Sequence, residues 1–279
     1  MSDGFPSCFD KLSMRIEKFG LTLSLSKGEA DKPAEYLERL GLRLSIVVPV
    51  YNEAENVLPL LAEIDASLRA TPPVEILFVD DGSDDETPAR LKSAMAGRSD
   101  LRVLRHSPRS GQSAAVATGV RAASGDWVAT LDGDGQNDPA DIPHLLAAVA
   151  KDPGLSLDGG LRQKRRDSLS RRLAGRWANA IRQSVLQDGC TDTGCGLKLF
   201  RREAFLALPS FDGMHRFLPA LFLRQGYRVA YLLVGHRPRE RGTSKYSNVR
   251  RAMIGVADLM GVWWLRRRAR LPTVDEVRG

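Results

Sequence analysis

The sequence contains little cysteine, which excludes folds that depend on cysteine for their stability. Its three cysteines are Cys8, Cys190 and Cys195, too few for a disulfide framework. The spacing from Cys190 to Cys195 also lacks the companion pairs of a zinc site. We therefore expect reduced thiols in a cytosolic protein.

The sequence also lacks an apolar run of the roughly 20 residues that a membrane-spanning helix needs. The nearest candidate, Ala252 to Leu265, is shorter, contains Asp258 and continues into a cluster of arginines that begins at Arg266. The N-terminus has no sustained apolar core of the kind found in signal peptides. We therefore expect no translocation, and because the chain stops soon after Leu265 we expect no spanning helix.

The C-terminal segment combines interfacial aromatic residues with cations. Trp263 and Trp264 stand next to Arg266, Arg267 and Arg268, and each cation near an anionic leaflet contributes about 1 kcal/mol. A buried helix end is the alternative interpretation. We predict an amphipathic helix that holds the protein peripherally at the inner, cytoplasmic face of the cytoplasmic membrane, against an anionic membrane surface.

Basic residues outnumber acidic ones, 41 to 34, which gives a net charge of +7 and a pI near 9.5. This excess favours an anionic partner, and composition leaves nucleic acid, a lipid surface and a phosphorylated substrate open. With 279 residues, 43% of them hydrophobic, the chain can bury one substantial core. One main domain is expected.

From Leu44 onward, apolar runs alternate with amphipathic segments, whereas residues 1–43 form an N-terminal extension to which we assign no role. This alternation predicts an α/β fold with a mainly parallel twisted sheet flanked by helices. Strands are predicted at 44–50, 74–79, 101–104 and 127–131, with helices at 55–68, 86–96, 112–123 and 139–150. The regular alternation stops beyond Gly154, and the later predictions are helices at 168–186, 202–208, 214–225 and 247–267 and a strand at 228–234.

Polar clusters follow three of the predicted strands. Pro49-Val50-Tyr51-Asn52-Glu53 closes the first, Asp80-Asp81-Gly82-Ser83-Asp84-Asp85 follows the second, and Asp132-Gly133-Asp134-Gly135-Gln136 follows the fourth. The first could merely start a helix, since one Asn or Asp suffices as a cap. The second is more acidic than a cap requires and would suit accepting from a nucleobase or a ribose hydroxyl. Since ligands bind where parallel strands end, we expect the clusters to converge on one crevice.

The third cluster has the character of a cation site. Two carboxylates one residue apart at the end of a buried strand repel each other unless a cation or ligand offsets their charge. Asp132, Asp134 and Gln136 offer three oxygen donors to a hard cation such as Mg²⁺ or Mn²⁺. A surface turn is the alternative, because Asp and Gly are common turn residues.

The order and spacing of these clusters resemble the family 2 glycosyltransferases of the GT-A fold, over roughly Leu44 to Arg268. The second half narrows the resemblance to the polyprenyl-phosphate, or dolichyl-phosphate, sugar transferases. The motifs that narrow it are Gly160-Leu161-Arg162, Arg171 to Asn179, Asp192 to Lys198, Met214 to Pro219, His236 to Arg239 and Gly242 to Tyr246. The chain then divides into the extension over residues 1–43, a GT-A domain over 44–246 and a membrane-proximal helix with a basic tail over 247–279.

The resemblance implies a role for each matching residue. It gives metal and diphosphate binding to Asp132, Gly133, Asp134 and Gln136, and catalytic importance to Asp132, Asp134, Arg162 and Arg239. Residues that hold the nucleotide-sugar would be Pro49, Tyr51, Glu53, Val79 and Asp81, with Arg162, Arg239 and Lys245 around the phosphates. The acceptor phosphate would lie near Arg171, Arg172, Arg176 and Ser244.

The implied reaction is metal-dependent, inverting transfer of a sugar from a UDP- or GDP-linked donor to a polyprenyl phosphate. A phosphate monoester has a second pKa near 6, so the acceptor is already a nucleophilic anion and needs no general base. The four histidines show no carboxylate partner in the sequence, and we interpret each of them as structural or hydrogen-bonding.

Two rival functions remain open. An enzyme of the same fold that glycosylates a hydroxyl acceptor would need a base, for which Asp192 is the candidate. A non-catalytic module that binds nucleic acid is disfavoured, because an acidic crevice would repel a phosphate backbone. We therefore predict no nucleic-acid partner, and the oligomeric state stays open.

Overall fold

A seven-stranded sheet runs through the described part of the molecule, with helices packed on both faces. The computed structural model describes residues 43–69, 74–162, 179–238 and 248–270. The strands are β1 (Leu44–Val50), β2 (Val74–Asp80), β3 (Leu101–Arg105), β4 (Trp127–Thr130), β5 (Leu155–Arg162), β6 (Lys198–Arg201) and β7 (Arg228–Val234). The helices are α1 (Val57–Ser67), α2 (Thr87–Ala94), α3 (Gln112–Ala122), α4 (Ile142–Lys151), α5 (179–186), α6 (Arg202–Leu206), α7 (Leu218–Arg224) and α8 (Asn248–Arg267), with 3-10 turns at Pro139–Asp141 and Met214–Arg216.

The order of the strands across the sheet is β3-β2-β1-β4-β6-β5-β7. β6 runs antiparallel to both of its neighbours, and the other neighbouring pairs of this sheet are parallel. The chain moves outward from β1 to β3 and then returns to place β4 on the other side of β1. In open α/β sheets, ligands bind at such a reversal of strand order, beyond the carboxyl ends of the strands.

The side chains of β1 explain why both faces of the sheet are covered. Every residue of this strand is buried. Ile46 and Val48 pack in the core layer that contains α1 and α4, whereas Val47 packs in the opposite layer with α3, α6 and α7. Apolar side chains on both faces are typical of a central parallel strand.

The predicted α/β class with a mainly parallel sheet is confirmed. β1 and β7 have the bounds that the sequence predicted, and the helix predicted from residue 139 begins as a 3-10 turn before α4. β5 and β6 were not predicted, and they lie where the regular alternation of the sequence stops. Of the predicted helix over 168–186, residues 179–186 are helical and 168–178 lie outside the described residues.

The predicted division of the chain stays a prediction, although two element boundaries lie near it. β1 begins at Leu44, and α8 begins at Asn248. Nearly all of the extension, residues 1–42, lies outside the described residues. Among the helices that the structure describes, none is both long and apolar enough to cross a bilayer.

The contact between α3 and β1 is close enough to test by adding one methyl group. A Cβ at Gly119 would lie 2.4 Å from Val47 Cγ1 and 3.2 Å from Val79 Cγ2. We expect Gly119→Ala to lower the free energy of unfolding by about 1–3 kcal/mol, because both strands would have to move. Urea denaturation measures this change.

Gly261→Ala is the matched control, since a Cβ on this exposed residue of α8 meets nothing within 4 Å. Alanine is the better helix former by about 1 kcal/mol, so this variant should be at least as stable as the wild type. Equal stability of the two variants would contradict the close packing of α3 on β1.

Candidate active site

A cavity of about 710 Å³ opens beyond the carboxyl ends of β1, β2 and β4. This size suits a substrate of a few hundred daltons. Its lining brings together most of the predicted site residues, namely Pro49, Tyr51, Glu53, Asp81, Asp132, Gly133, Asp134, Gln136 and Arg162, and also Asp192. Val79 instead packs in the core against Gly119. The other predicted site residues, Arg171, Arg172, Arg176, Arg239, Ser244 and Lys245, lie outside the described residues.

Asp81 fixes the loop that leads into α3. Its Oδ1 accepts hydrogen bonds from the Ser110 amide and from His106 Nδ1, each at 2.8 Å, and its Oδ2 accepts one from the Gly111 amide at 2.8 Å. His106 Nε2 lies 2.9 Å from Thr118 Oγ1. This carboxylate partner of His106 was not evident from the sequence, and the contacts agree with the predicted structural or hydrogen-bonding role of the residue. Since a carboxylate has about four acceptor positions, three of those of Asp81 are already used within the protein.

Arg109 covers the ring of Tyr51 at the same end of the cavity. Its guanidinium carbon lies 3.7 Å from the centroid of the ring, and its Nε lies 3.6 Å from Asp81 Oδ2. Stacking of arginine on an aromatic face is a favourable cation–π arrangement. A nucleobase that used this face of Tyr51 would have to displace Arg109 or stack upon it. Arg109 was not predicted as a site residue, because it lies in none of the motifs.

The acidic turn Asp132 to Gln136 lies at the base of the cavity. Asp132 Oδ1 accepts a hydrogen bond of 2.8 Å from Gln112 Nε2, and the Gln136 amide donates to Asp134 Oδ1 at 3.2 Å. Burial, together with the negative charge of Asp134, raises the pKa of Asp132 to about 6. The two carboxylates therefore resist ionising together unless positive charge is brought to them.

This donor set fits a hard divalent cation that also binds a ligand. No cluster of three or more His, Cys, Asp or Glu side chains that could hold a metal occurs among the described residues. Mg²⁺ commonly takes one or two carboxylates and completes its shell with water and substrate phosphates. Asp132 and Asp134 supply two carboxylates in the cavity wall, and the side-chain amide of Gln136 offers a further oxygen.

Gly196 leaves the space that the Asp132 carboxylate occupies. A Cβ at this position would lie 2.2 Å from Asp132 Oδ2 and 2.4 Å from Oδ1. The Gly196 carbonyl accepts a hydrogen bond of 2.7 Å from Thr130 Oγ1, which ties the segment before β6 to the end of β4. The glycine is therefore needed for close approach to the acidic turn.

Arg162 and Asp192 form a bidentate ion pair at the side of the cavity. Arg162 Nε donates to Asp192 Oδ2 at 2.6 Å, and Nη2 donates to Oδ1 at 2.6 Å. Burial alone would lower the pKa of Arg162, but the hydrogen bonds and the charge of Asp192 raise it. Both oxygens of Asp192 are engaged, which makes this carboxylate a poor general base.

Lys198, His215 and Arg216 are among the lining side chains that were not assigned from the sequence. Lys198 is 5% exposed, and its Nζ donates to the Cys195 carbonyl. His215 Nδ1 lies 2.6 Å from Ser113 Oγ, and burial together with repulsion from Arg216 and Lys198 lowers the pKa of its ring to about 3. All three lie in motifs that support the family resemblance, but the sequence alone does not show that they face a cavity.

Solved structures of other proteins share this fold at low sequence identity. Glucosyl-3-phosphoglycerate synthase from Mycobacterium tuberculosis, in complex with Mn²⁺, uridine diphosphate and phosphoglyceric acid, gives a TM-score of 0.66 at 20% identity and covers 91% of this chain and 87% of its own. Mannosyl-3-phosphoglycerate synthase from Rubrobacter xylanophilus gives 0.67 at 21% identity, over 94% and 86%. These likenesses confirm the predicted GT-A fold.

Sequence relatives are more similar but longer than this chain. A dodecaprenyl-phosphate galacturonate synthase from Rhizobium johnstonii is 35% identical over 237 residues, which is 82% of this chain and 69% of the relative. An undecaprenyl-phosphate 4-deoxy-4-formamido-L-arabinose transferase from Yersinia enterocolitica is 36% identical over 208 residues, or 74% and 63%. The chain thus spans about two thirds of the length of these relatives.

The contact between Gly196 and the acidic turn yields a test of the cation site. Gly196→Ala should push the Asp132 carboxylate aside and lower Mn²⁺ affinity and sugar transfer by about 10- to 100-fold, the usual effect of disturbing the support of a metal ligand. Calorimetric titration with Mn²⁺ measures the first effect. Gly255→Ala on α8, where a Cβ meets nothing within 4 Å, is the control. Wild-type Mn²⁺ affinity in a folded Gly196→Ala protein would exclude this role of Gly196.

More than half of the chain, residues 45–208, matches the profile described as Glycosyl transferase family 2. The matched segment runs from β1 to just beyond α6 and contains Asp81, the acidic turn, Arg162 and Asp192. With relatives at 35% identity over most of the chain, this match shows that the chain is a glycosyltransferase and belongs to Glycosyl transferase family 2.

Proposed function

We propose that this glycosyltransferase moves a sugar from a nucleotide diphosphate-sugar to the phosphate of a polyprenyl phosphate, with inversion at the sugar carbon. The observation that carries the proposal is the bidentate pair of Arg162 with Asp192. The carboxylate that a hydroxyl acceptor would need as its base is bound to arginine, whereas a phosphate acceptor needs no base. The two relatives described above are named for dodecaprenyl and undecaprenyl phosphate, which supports the same acceptor class.

The donor would lie across the reversal of strand order. Its nucleotide would contact Pro49, Tyr51, Glu53 and Asp81, with the backbone near Val79. Its diphosphate would lie at the acidic turn, where Asp132, Asp134 and Gln136 would hold Mg²⁺ or Mn²⁺. The bound cation would neutralise the leaving diphosphate. The structural neighbour that contains Mn²⁺ and uridine diphosphate supports this choice of cofactor and donor class.

The protein side chains then have two tasks. They hold the acceptor phosphate in line with the sugar carbon, and they offset the repulsion between two anionic substrates. Arg162 would serve the second task from the cavity wall, together with Arg239 and Lys245. Arg171, Arg172, Arg176 and Ser244 are proposed for the acceptor phosphate on the family resemblance alone. Catalysis in this scheme is positioning and electrostatic stabilisation, without proton transfer by the protein.

Membrane attachment would use the outer face of α8. Its inner face is buried, with Val262 1% exposed, whereas Val256, Met260 and Trp264 are more than half exposed and recur every four residues. The guanidinium carbon of Arg267 lies 5.0 Å from the Trp263 ring and that of Arg268 lies 5.7 Å from the Trp264 ring. An apolar stripe that ends in cations suits the surface of an anionic bilayer.

The acceptor class is tested with UDP-, GDP- and dTDP-sugars, Mn²⁺ and either a short polyprenyl phosphate or the matching polyprenol. We expect a glycolipid, identified by mass, from the phosphate only. The kcat/KM for the acceptor should fall as the pH drops through about 6, because the phosphate becomes a less nucleophilic monoanion.

The variant Asp192→Asn distinguishes the two acceptor classes. It should be less active, because Arg162 loses its partner, but it should keep the same fall in kcat/KM below about pH 6. Two results together would instead establish a hydroxyl acceptor with Asp192 as base: transfer to polyprenol, and a kcat/KM of Asp192→Asn that no longer falls below about pH 6.

The membrane surface is tested by sedimentation with vesicles of anionic or neutral lipid. We expect binding to anionic vesicles that weakens at high salt, and loss of binding in the double variant Met260→Glu/Trp264→Glu. Leu206→Glu is the control, because Leu206 is also exposed but lies on α6. Equal loss in the control, or no binding by the wild type at low salt, would contradict attachment through α8.

A further inference from the structure

The arginines of the cavity differ in how their charges are compensated. Arg162 is bound to Asp192, Arg182 donates to Asp188 Oδ1 at 3.0 Å, and Arg109 lies against Asp81 and Tyr51. Arg216 also lines the cavity. Within the described part of the chain, no carboxylate oxygen lies within ion-pair distance of its guanidinium, and its attraction to Asp258 acts over a longer range. Arg216 thus has positive charge available for an anionic ligand.

The position of Arg216 is fixed from both sides by short contacts. It ends the 3-10 turn Met214–Arg216, which follows Gly213 in a left-handed conformation at φ +84°. On the cavity side, His215 of this turn lies 2.6 Å from Ser113 Oγ in the first turn of α3. On the other side, Asp258 of α8 lies so near Gly213 that a Cβ there would be 2.7 Å from its Oδ2. The turn therefore joins the catalytic cavity to the helix that we assign to the membrane surface.

The turn with Arg216 reaches the cavity from the side of α7 and α8. The nucleotide end is marked by Tyr51, Arg109 and Asp81, on the β1–β2 side of the strand reversal. The turn with Arg216 contacts α3 and leads through α7 toward α8. A lipid whose chain stays in the membrane would bring its phosphate to the cavity from the α8 side. A planar guanidinium can bind two phosphate oxygens at once.

We infer that Arg216 binds the phosphate of the lipid acceptor and holds it for attack on the donor sugar. The inference rests on the proposed function and adds a residue that the family resemblance does not assign. His215 acts as a positioning residue, because its contact with Ser113 holds the turn. The low pKa of its ring, about 3, keeps it neutral at physiological pH, so the turn contributes the charge of Arg216 alone.

The test compares Arg216→Gln and Arg216→Lys with the wild type, using a short polyprenyl phosphate as the acceptor. In Arg216→Gln, we expect the KM for the acceptor to rise by about 10- to 100-fold, the effect of losing a charged hydrogen-bond partner. The KM for the nucleotide-sugar should stay within about twofold of the wild type. Arg216→Lys should recover part of the acceptor affinity, since it restores the charge but not the bidentate geometry.

Arg121→Gln is the matched control, because Arg121 is exposed near the end of α3 and does not line the cavity. An unchanged KM for the acceptor in folded Arg216→Gln would overturn the inference, and so would a rise confined to the KM for the donor. If Arg216→Gln does not fold, an acceptor KM in Arg216→Lys equal to that of the wild type would do the same. A wild-type enzyme that uses polyprenol rather than polyprenyl phosphate would instead overturn the proposed function itself.

Discussion

The mutual repulsion of Asp132 and Asp134 is the interaction around which the cavity is organised. Both carboxylates follow β4 at the point where the strand order reverses, and burial raises the pKa of Asp132 to about 6. Two nearby groups stabilise the negative charge of Asp132. Gln112 donates a hydrogen bond to its carboxylate, and the positive charge of Lys198, at the start of β6, attracts it. These contacts only partly offset the repulsion. A divalent cation and an anionic ligand together would complete the balance, which is why a metal and a diphosphate suit the same place.

The cations of the cavity divide into two groups. Arg162 and Arg182 are bound to carboxylates by short bonds, so their positions are fixed before any substrate arrives. A fixed charge costs little reorganisation during the reaction, which is the condition for electrostatic catalysis. Arg216 has its charge available, and its turn lies against α8 at Asp258. This distribution suits an enzyme whose two substrates arrive from different directions, one from water and one from a membrane.

Much of the sheet was predictable from the sequence, because central parallel strands are continuous apolar runs. β1 and β7 were predicted with their observed bounds, whereas β5 and β6 were missed. Gly159 and Gly160 lower the strand propensity of β5, and the buried Asp158 interrupts its apolar pattern. β6 has only four residues and lies where the regular alternation of the sequence stops. Both strands owe their conformation to their neighbours in the sheet rather than to local preference.

The clustering of site residues at strand ends was predictable, but their partners were not. Arg162 and Asp192 are 30 residues apart, and His106 and Asp81 are 25 apart. No local pattern relates residues at such separations, because the fold alone brings them together. Arg216 lies in the motif Met214 to Pro219, which was noted in the sequence. Its exposure to the cavity, however, depends on how the 3-10 turn Met214–Arg216 packs between α3 and α8. Residue types in the sequence thus predicted what kind of ligand the site would bind, whereas tertiary contacts decide which side chains are available to bind it.

The reversed strand β6 also sets the order in which the site can be assembled. β6 lies between β4 and β5, so the two parts of the sheet have no direct backbone pairing with each other. During synthesis, β4 emerges about 70 residues before β6, judged from their places in the sequence. Until then, β4 lacks its second neighbour, and Gly196 is not beside Asp132. A ribosome-bound chain that ends before Gly196 would therefore carry the acidic turn without the segment that packs against it, and the proposed cation site would be complete only after β6 has joined the sheet.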